Sequence, residues 1–166
     1  MNTLEFAMQM EEDGRAYYEK LAEETTLPGL ETIFRNLAED EQKHYEIFKR
    51  LLAGSGAEMQ DSTALAGAQN IFHQLPKTPN LSGLEQNIAA YRYAMQLEAK
   101  SFRLYEDAAA KEEDAAARSL LLKIAAEEHK HFIILENICL FLEAPDQHPS
   151  WAESSGLADI RGYNGS

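Results

Sequence analysis

Apolar side chains recur at intervals of three and four residues along four stretches of this chain. That spacing places them on one face of an α-helix, so each stretch is predicted to be an amphipathic helix. In the first stretch, Leu4, Ala7, Tyr18 and Leu21 share such a stripe. The predicted helices cover residues 3–24, 30–52, 84–111 and 115–144.

Proline and capping residues mark the ends of these helices. Pro28 separates the first helix from the second, because proline cannot continue a helix. Ser82 and Glu85 have the spacing of a capping box, which predicts the start of the third helix nearby. Asp114 is a predicted cap for the fourth helix, and Pro145 ends it.

The connections between the helices predict their arrangement. Short turns join the first helix to the second and the third to the fourth, so each pair is expected to form an antiparallel hairpin. Residues 53–83, with a short helix expected within 63–75, form a crossover long enough to make the second and third helices parallel. We therefore predict an all-α four-helix bundle over residues 1–143. Residues 144–166 are expected to form a tail that packs on the bundle or leaves it.

The two hairpins repeat each other at a fixed offset of 87 positions without a gap. Glu11 corresponds to Glu98, and the residues before each, 6–10 and 93–97, are also alike. Glu41 and His44 correspond in the same way to Glu128 and His131. Two copies of one hairpin are expected to be related by a pseudo-twofold axis, which brings equivalent positions together at the centre.

Six polar residues occupy stripe positions where leucine or isoleucine is expected. Unpaired carboxylates in a low-dielectric interior are costly, and no lysine or arginine lies on a stripe to neutralise them. Two divalent cations would balance the four negative charges. A lone Glu-x-x-His pair on a helix is common, but two pairs in register with two further glutamates indicate a metal site. Mixed carboxylate and imidazole ligation suits iron or manganese and tolerates zinc. The predicted ligands are Glu11, Glu41, His44, Glu98, Glu128 and His131.

Other polar residues near these stripes have competing interpretations. Tyr18 and Tyr105 lie two turns beyond Glu11 and Glu98, where contact with a ligand carboxylate competes with plain core packing. Cys139 is expected to be a small core residue rather than a redox centre. Surface positions are expected for the acids Glu12, Glu39 and Glu127 and for the unmatched histidines His73, His129 and His148.

Composition and charge narrow the partners. The 166 residues have a formal net charge of -13 and form no basic stripe, which disfavours binding to nucleic acid and to anionic membranes. No apolar run approaches the length of a membrane span. The single cysteine suits a reducing compartment, and the first residues have no signal-peptide pattern, so we expect a cytoplasmic protein.

Residues 10–18 (MEEDGRAYY) and 97–105 (LEAKSFRLY), together with the six-residue pattern, resemble the ferritin-like di-iron carboxylate proteins and, among them, the rubrerythrins. The resemblance covers residues 1–143. It implies a ferritin-like bundle with two iron ions. By analogy, Glu11 and Glu98 would be terminal ligands, Glu41 and Glu128 would bridge, and His44 and His131 would each bind one metal.

Two departures from the family bear on activity. Full-length rubrerythrins add a rubredoxin domain, whereas this chain has no Cys-x-x-Cys pair. Peroxidase-type relatives have an extra glutamate where this chain has Ser101. The resemblance implies reduction of peroxide or oxygen with electrons from an external donor protein. The alternatives are a ferroxidase or iron-buffering protein and a structural bundle with a vestigial site. We also expect a homodimer.

The residue just before each Glu-x-x-His pair is acidic: Asp40 in the second helix and Glu127 in the fourth. Bacterioferritin-like proteins, which the chain also resembles, use acidic residues there to hold the histidine of the opposite hairpin. The resemblance and the twofold relation imply that Asp40 contacts His131 and Glu127 contacts His44. The alternative is that both are solvated surface acids.

Overall fold

The computed structural model describes residues 2–75, 87–143 and 157–164. Within those ranges the chain is helical and has no strand. None of the described helices combines the length and apolar composition that crossing a membrane requires. The six helices are α1 (Thr3–Glu24), α2 (Pro28–Leu52), α3 (Ala64–Gln74), α4 (Ile88–Lys111), α5 (Ala115–Glu143) and α6 (Leu157–Gly162).

The helix ends follow local side-chain chemistry. Asn2 and Glu5 form a reciprocal capping box at the start of α1. Pro28 is the first residue of α2, two positions earlier than expected, because the first turn of a helix leaves its N–H groups unpaired and proline lacks one. Asp114 caps α5 as predicted, since its Oδ2 accepts a hydrogen bond from the Ala117 N–H at 2.8 Å.

Two antiparallel hairpins, α1 with α2 and α4 with α5, form the bundle, which confirms the predicted all-α architecture. Ring contacts between the hairpins define their relative direction. Phe34 meets Tyr91 at 5.3 Å between ring centroids, and Phe48 meets Tyr105 at 5.0 Å. Both pairs advance by the same number of residues along α2 and α4, so these two helices run parallel, as the long crossover predicted.

The crossover contains α3, which packs on α2 and α5 within the stretch expected to be helical. Gly54, just after α2, has a φ of 76°, a left-handed conformation that glycine adopts without strain. The predicted capping box at Ser82 and Glu85 lies outside the described residues. The crossover therefore connects the hairpins while covering one side of the bundle.

The described part of the C-terminal tail packs on the second hairpin. Ile160 of α6 is fully buried, and the Tyr163 ring meets Phe132 edge to face at 5.2 Å. The Arg103 guanidinium donates hydrogen bonds to the carbonyl oxygens of Ile160 and Tyr163, both at 3.1 Å. The tail was expected either to pack on the bundle or to leave it, and these contacts show that α6 packs on the bundle. Residues 144–156 lie outside the described residues.

Candidate metal centre

The six predicted ligands converge at the centre of the bundle. Glu11 comes from α1, and Glu98 comes from α4. The Glu-x-x-His pairs lie on α2 and α5, and their three-residue spacing points both side chains of each pair the same way. All six side chains are almost inaccessible, with exposed fractions of 0 to 3%. The helical stripes thus place six ionisable groups in a largely apolar core.

Their donor atoms form two groups, each compact enough to surround one metal ion. Within each group the ligand atoms lie within 4.8 Å of one another. Glu41 and Glu128 belong to both groups, which is the arrangement that two bridging carboxylates require. Each group is completed by the glutamate and histidine of one hairpin: Glu11 and His44, or Glu98 and His131.

The approach of these atoms suits a shared cation better than hydrogen bonding. His44 Nδ1 lies 2.9 Å from Glu128 Oε1, and His131 Nδ1 lies 2.9 Å from Glu41 Oε1. Among the described residues, His44 Nδ1 and the Oε1 atoms of Glu41 and Glu128 nevertheless have no hydrogen-bond partner. Adjacent ligands, each about 2.1 Å from one metal ion, are separated by about 3 Å. The residues therefore fit two cations bound between the hairpins.

The electrostatics lead to the same conclusion. Burial, reinforced by the charge of Glu11, raises the pKa of Glu41 and of Glu128 well above the usual range. Burial alone would lower the pKa of His44, but the negative charge of Glu11 raises it to about 10. Without a cation the cluster retains protons, because like charges cannot be packed together in a buried site. Metal binding would displace those protons.

Each ligand histidine is held by a carboxylate of the opposite hairpin. His44 Nε2 lies 2.8 Å from Glu127 Oε1, and His131 Nε2 lies 2.8 Å from Asp40 Oδ2. A carboxylate accepts hydrogen bonds, so in a metal-bound state the imidazole proton would lie on Nε2 and Nδ1 would face the metal. The structure thus places both acids in the predicted contacts rather than in solvent, with Asp40 and Glu127 4% and 6% exposed.

Tyr18 and Tyr105, both buried, reach across the bundle in the same way. The Tyr105 hydroxyl donates to Glu11 Oε1 at 2.7 Å, and the Tyr18 hydroxyl donates to Glu98 Oε1. Burial and the neighbouring carboxylates raise the pKa of both tyrosines well above the usual range, so the hydroxyls retain their protons. Core packing and contact with a ligand were alternatives in the sequence, and both occur here.

A family model of the rubrerythrins matches residues 2–138. The chain belongs to the rubrerythrin family. The match spans the ferritin-like di-iron domain and includes all six candidate ligands. No curated protein and no solved structure matches the chain. Membership of this family implies di-iron binding, and the paired carboxylate and histidine groups are consistent with it.

Two residues of this rubrerythrin-family chain that were expected on the surface are buried: Glu127, which contacts His44, and His129. His129 was expected on the surface but is only 5% exposed, with its ring 6.1 Å from that of Phe102. The reason is that α5 contacts α3 and α6 as well as α4, so its buried surface is wider than one stripe. Glu12, Glu39 and His73 are exposed as expected. His148 lies outside the described residues.

A cavity of about 80 Å³ lies between α1 and α4 and reaches the carboxylates of Glu41, Glu98 and Glu128. Gly14 and Ser101, which are equivalent in the repeat, line it together. A Cβ atom at position 14 would lie 3.1 Å from Glu41 Oε2, so glycine leaves room for that carboxylate. Sequence reasoning missed this role of Gly14, although its equivalence to Ser101 is visible in the repeat.

A second cavity, of about 290 Å³, approaches the centre beside α2 and reaches His44 and Glu127. Its wall includes the charged side chains of Lys43, Glu46 and Arg50 of α2. Residues 58–60 of the crossover complete it. The metal centre is thus approached by two cavities that differ in size and in charge.

Proposed function

We propose that this protein reduces a small oxidant, hydrogen peroxide or dioxygen, at a di-iron centre with electrons from an external donor protein. Two ferrous ions would together supply two electrons, enough with two protons to reduce hydrogen peroxide to two water molecules or dioxygen to hydrogen peroxide without a one-electron intermediate. The family membership and the two ligand groups support iron binding. The proposal includes an external donor because one cysteine, Cys139, cannot supply the several thiolates of a rubredoxin-like iron site.

The chain's own residues would hold the metals and keep their ligands oriented. One position would be bound by Glu11 and His44 and the other by Glu98 and His131, with the two shared carboxylates joining them. Carboxylates of the opposite hairpin keep the proton of each histidine on Nε2. The tyrosine hydroxyls orient the terminal carboxylates. Such preorganisation would hold two metal ions in place for two-electron chemistry.

The observation that carries this proposal is the small cavity against the shared carboxylates. Its volume of about 80 Å³ exceeds the minimum of about 10–15 Å³ that a cavity needs to hold one water molecule, so a small oxidant fits in it. Met10, Tyr17 and Leu97 form much of its outer wall, and Asp13 is its one exposed acid. An entry of this kind admits a small neutral oxidant more readily than a hydrated cation.

A second candidate function is iron handling, as a ferroxidase or a small iron buffer. The observation that favours it is the second cavity, which reaches His44 and Glu127 and has several charged side chains in its wall. A hydrated ferrous ion could approach the centre from that side. The two functions use the same ligands, so the ligands cannot distinguish them. They differ in what accumulates during turnover.

Turnover with excess oxidant separates the two functions. Protein loaded anaerobically with two ferrous ions per chain would receive many equivalents of hydrogen peroxide or dioxygen together with a reductant. We expect oxidant consumption well beyond the iron present, while the protein keeps two irons per chain. Oxidant use limited to the ferrous iron supplied, with ferric iron accumulating beyond two per chain, would favour iron handling.

A variant at the cavity tests the proposed route. Leu97 lines the cavity, whereas Leu104 is a half-buried leucine two turns further along α4 that does not line it. Leu97→Trp should slow single-turnover oxidation of the ferrous protein, because the larger ring narrows the entry. Leu104→Trp is the matched control and should react at the wild-type rate. Equal rates in both variants would show that the oxidant enters elsewhere.

A further inference from the structure

Ser62, in the segment between α2 and α3, contacts both carboxylates that hold the ligand histidines. Its hydroxyl donates a hydrogen bond to Asp40 Oδ2, the same oxygen that lies 2.8 Å from His131 Nε2. Its backbone N–H donates to Glu127 Oε2 at 2.9 Å, while the other oxygen of Glu127 faces His44. One residue of the crossover is therefore linked to both halves of the centre.

The direction of the hydroxyl bond is determined locally. The backbone N–H of Ala64, at the start of α3, donates to Ser62 Oγ at 3.1 Å. A serine hydroxyl has one proton, and a carboxylate can only accept, so that proton belongs to the bond with Asp40. The start of α3 thus positions Ser62, and Ser62 positions the carboxylate of Asp40.

This arrangement breaks the symmetry of the two metal positions. Asp40 and Glu127 are equivalent in the repeat, yet one receives a side-chain hydroxyl and the other a backbone N–H. A substitution that removes only the hydroxyl therefore leaves the Glu127 contact in place.

We infer that Ser62 is a positioning residue that acts through Asp40 on one of the two metal positions. That position is the one bound by His131 and Glu98, and the contact with Ser62 makes it distinct from the position bound by His44 and Glu11. The inference depends on the metal centre of the proposed function but not on its oxidant. A hydrogen-bonded carboxylate fixes the tautomer and orientation of a ligand imidazole, so loosening it weakens the metal bond. The crossover, rather than either hairpin, distinguishes the two sites.

The test is anaerobic titration with Co²⁺ in competition with a chelator, using the full chain. Wild type should take up two equivalents. Removing a direct hydrogen-bond partner of a ligand histidine costs about 10–100-fold in metal affinity. Ser62 is one hydrogen bond further from the histidine, so Ser62→Ala should lower the affinity for one of the two Co²⁺ ions by up to about tenfold. Ser62→Thr retains the hydroxyl and should restore the affinity. Thr63→Ala is the control, because the Thr63 side chain makes no capping hydrogen bond to α3. This variant should bind Co²⁺ with the affinity of wild type.

Two further measurements separate this role from a general loss of structure. In the Zn²⁺ protein, Ser62→Ala should shift the imidazole N–H proton resonance of His131 and leave that of His44 in place. In an Asp40→Ala background, Ser62→Ala should weaken metal binding no further, because a residue that acts through Asp40 has no additive effect.

Several outcomes would overturn the inference. These are equal weakening of both equivalents, unchanged binding in Ser62→Ala, and full additivity with Asp40→Ala. Uptake of fewer than two equivalents by wild type would overturn the metal centre and this inference together. Full uptake with the predicted selectivity, but without turnover of peroxide or dioxygen, would refute only the proposed oxidoreductase function and would support the inference.

Discussion

Replacing Glu128 with glutamine should separate the cost of burying the cluster from the stabilisation that metal provides. The side chain is 1% exposed, and burial together with Glu11, Glu41 and Glu98 raises its pKa well above the usual range. In the metal-free protein the surroundings of this carboxyl group therefore favour its neutral form. Glutamine has the same shape and is also neutral, so the metal-free variant should be about as stable as metal-free wild type.

The metal-bound state should respond very differently. A ligand at 100 times its dissociation constant stabilises the native state by about 2.7 kcal/mol, so two metal ions contribute about 5 kcal/mol. In a domain of this size each kcal/mol raises the melting temperature by about 2–4 °C, which gives an increase of about 10–20 °C for wild type. Glu128 belongs to both ligand groups, so Glu128→Gln should abolish most of that increase.

Thermal unfolding followed by circular dichroism, with and without Mn²⁺ or Co²⁺, measures both effects. Glu12→Gln is the matched control, because it removes one carboxylate from an exposed position on α1 and should preserve the full metal-induced increase. A full increase in Glu128→Gln would show that this carboxylate is not a shared ligand. A metal-free variant melting far below metal-free wild type would show that the carboxylate is ionised in that state.

Three other outcomes follow from the site. His44→Ala should lose both metal equivalents in a Co²⁺ titration, because the shared carboxylates couple the two metal positions. The control variant His73→Ala, at an exposed histidine, should still bind two Co²⁺ ions. Unchanged Co²⁺ binding in His44→Ala would show that His44 is not a ligand. Ser101→Glu adds a carboxylate in the small cavity. This variant should be oxidised faster by peroxide, relative to its oxidation by dioxygen, than wild type is. An unchanged ratio of the two rates would show that Ser101 does not limit peroxide chemistry. The pKa of His44 in the metal-free protein is raised to about 10 from 6.5, so its contribution to stability is complete below about pH 6.5 and is lost as the pH rises through 10. Urea denaturation of the metal-free protein at several pH values should therefore show a falling midpoint above neutrality, and a midpoint that rises with pH would contradict the assignment.

The ligand candidates were accessible from the sequence because helical periodicity is a local property. A glutamate such as Glu11 on an apolar stripe is visible without knowledge of the fold, and the ungapped repeat pairs it with Glu98. The parallel course of α2 and α4 followed from the length of the crossover, and the ring contacts confirm it. These features depend only on spacing along the chain.

Other features required the tertiary structure because they depend on contacts between segments that are distant in sequence. Whether Asp40 faces solvent or His131 is decided by how the two hairpins pack, and the sequence left that choice open. Burial of His129 depends on which helices surround α5. The role of Ser62 was not visible at all, because the crossover has no periodicity and its contacts with Asp40 and Glu127 form only when it folds over both hairpins.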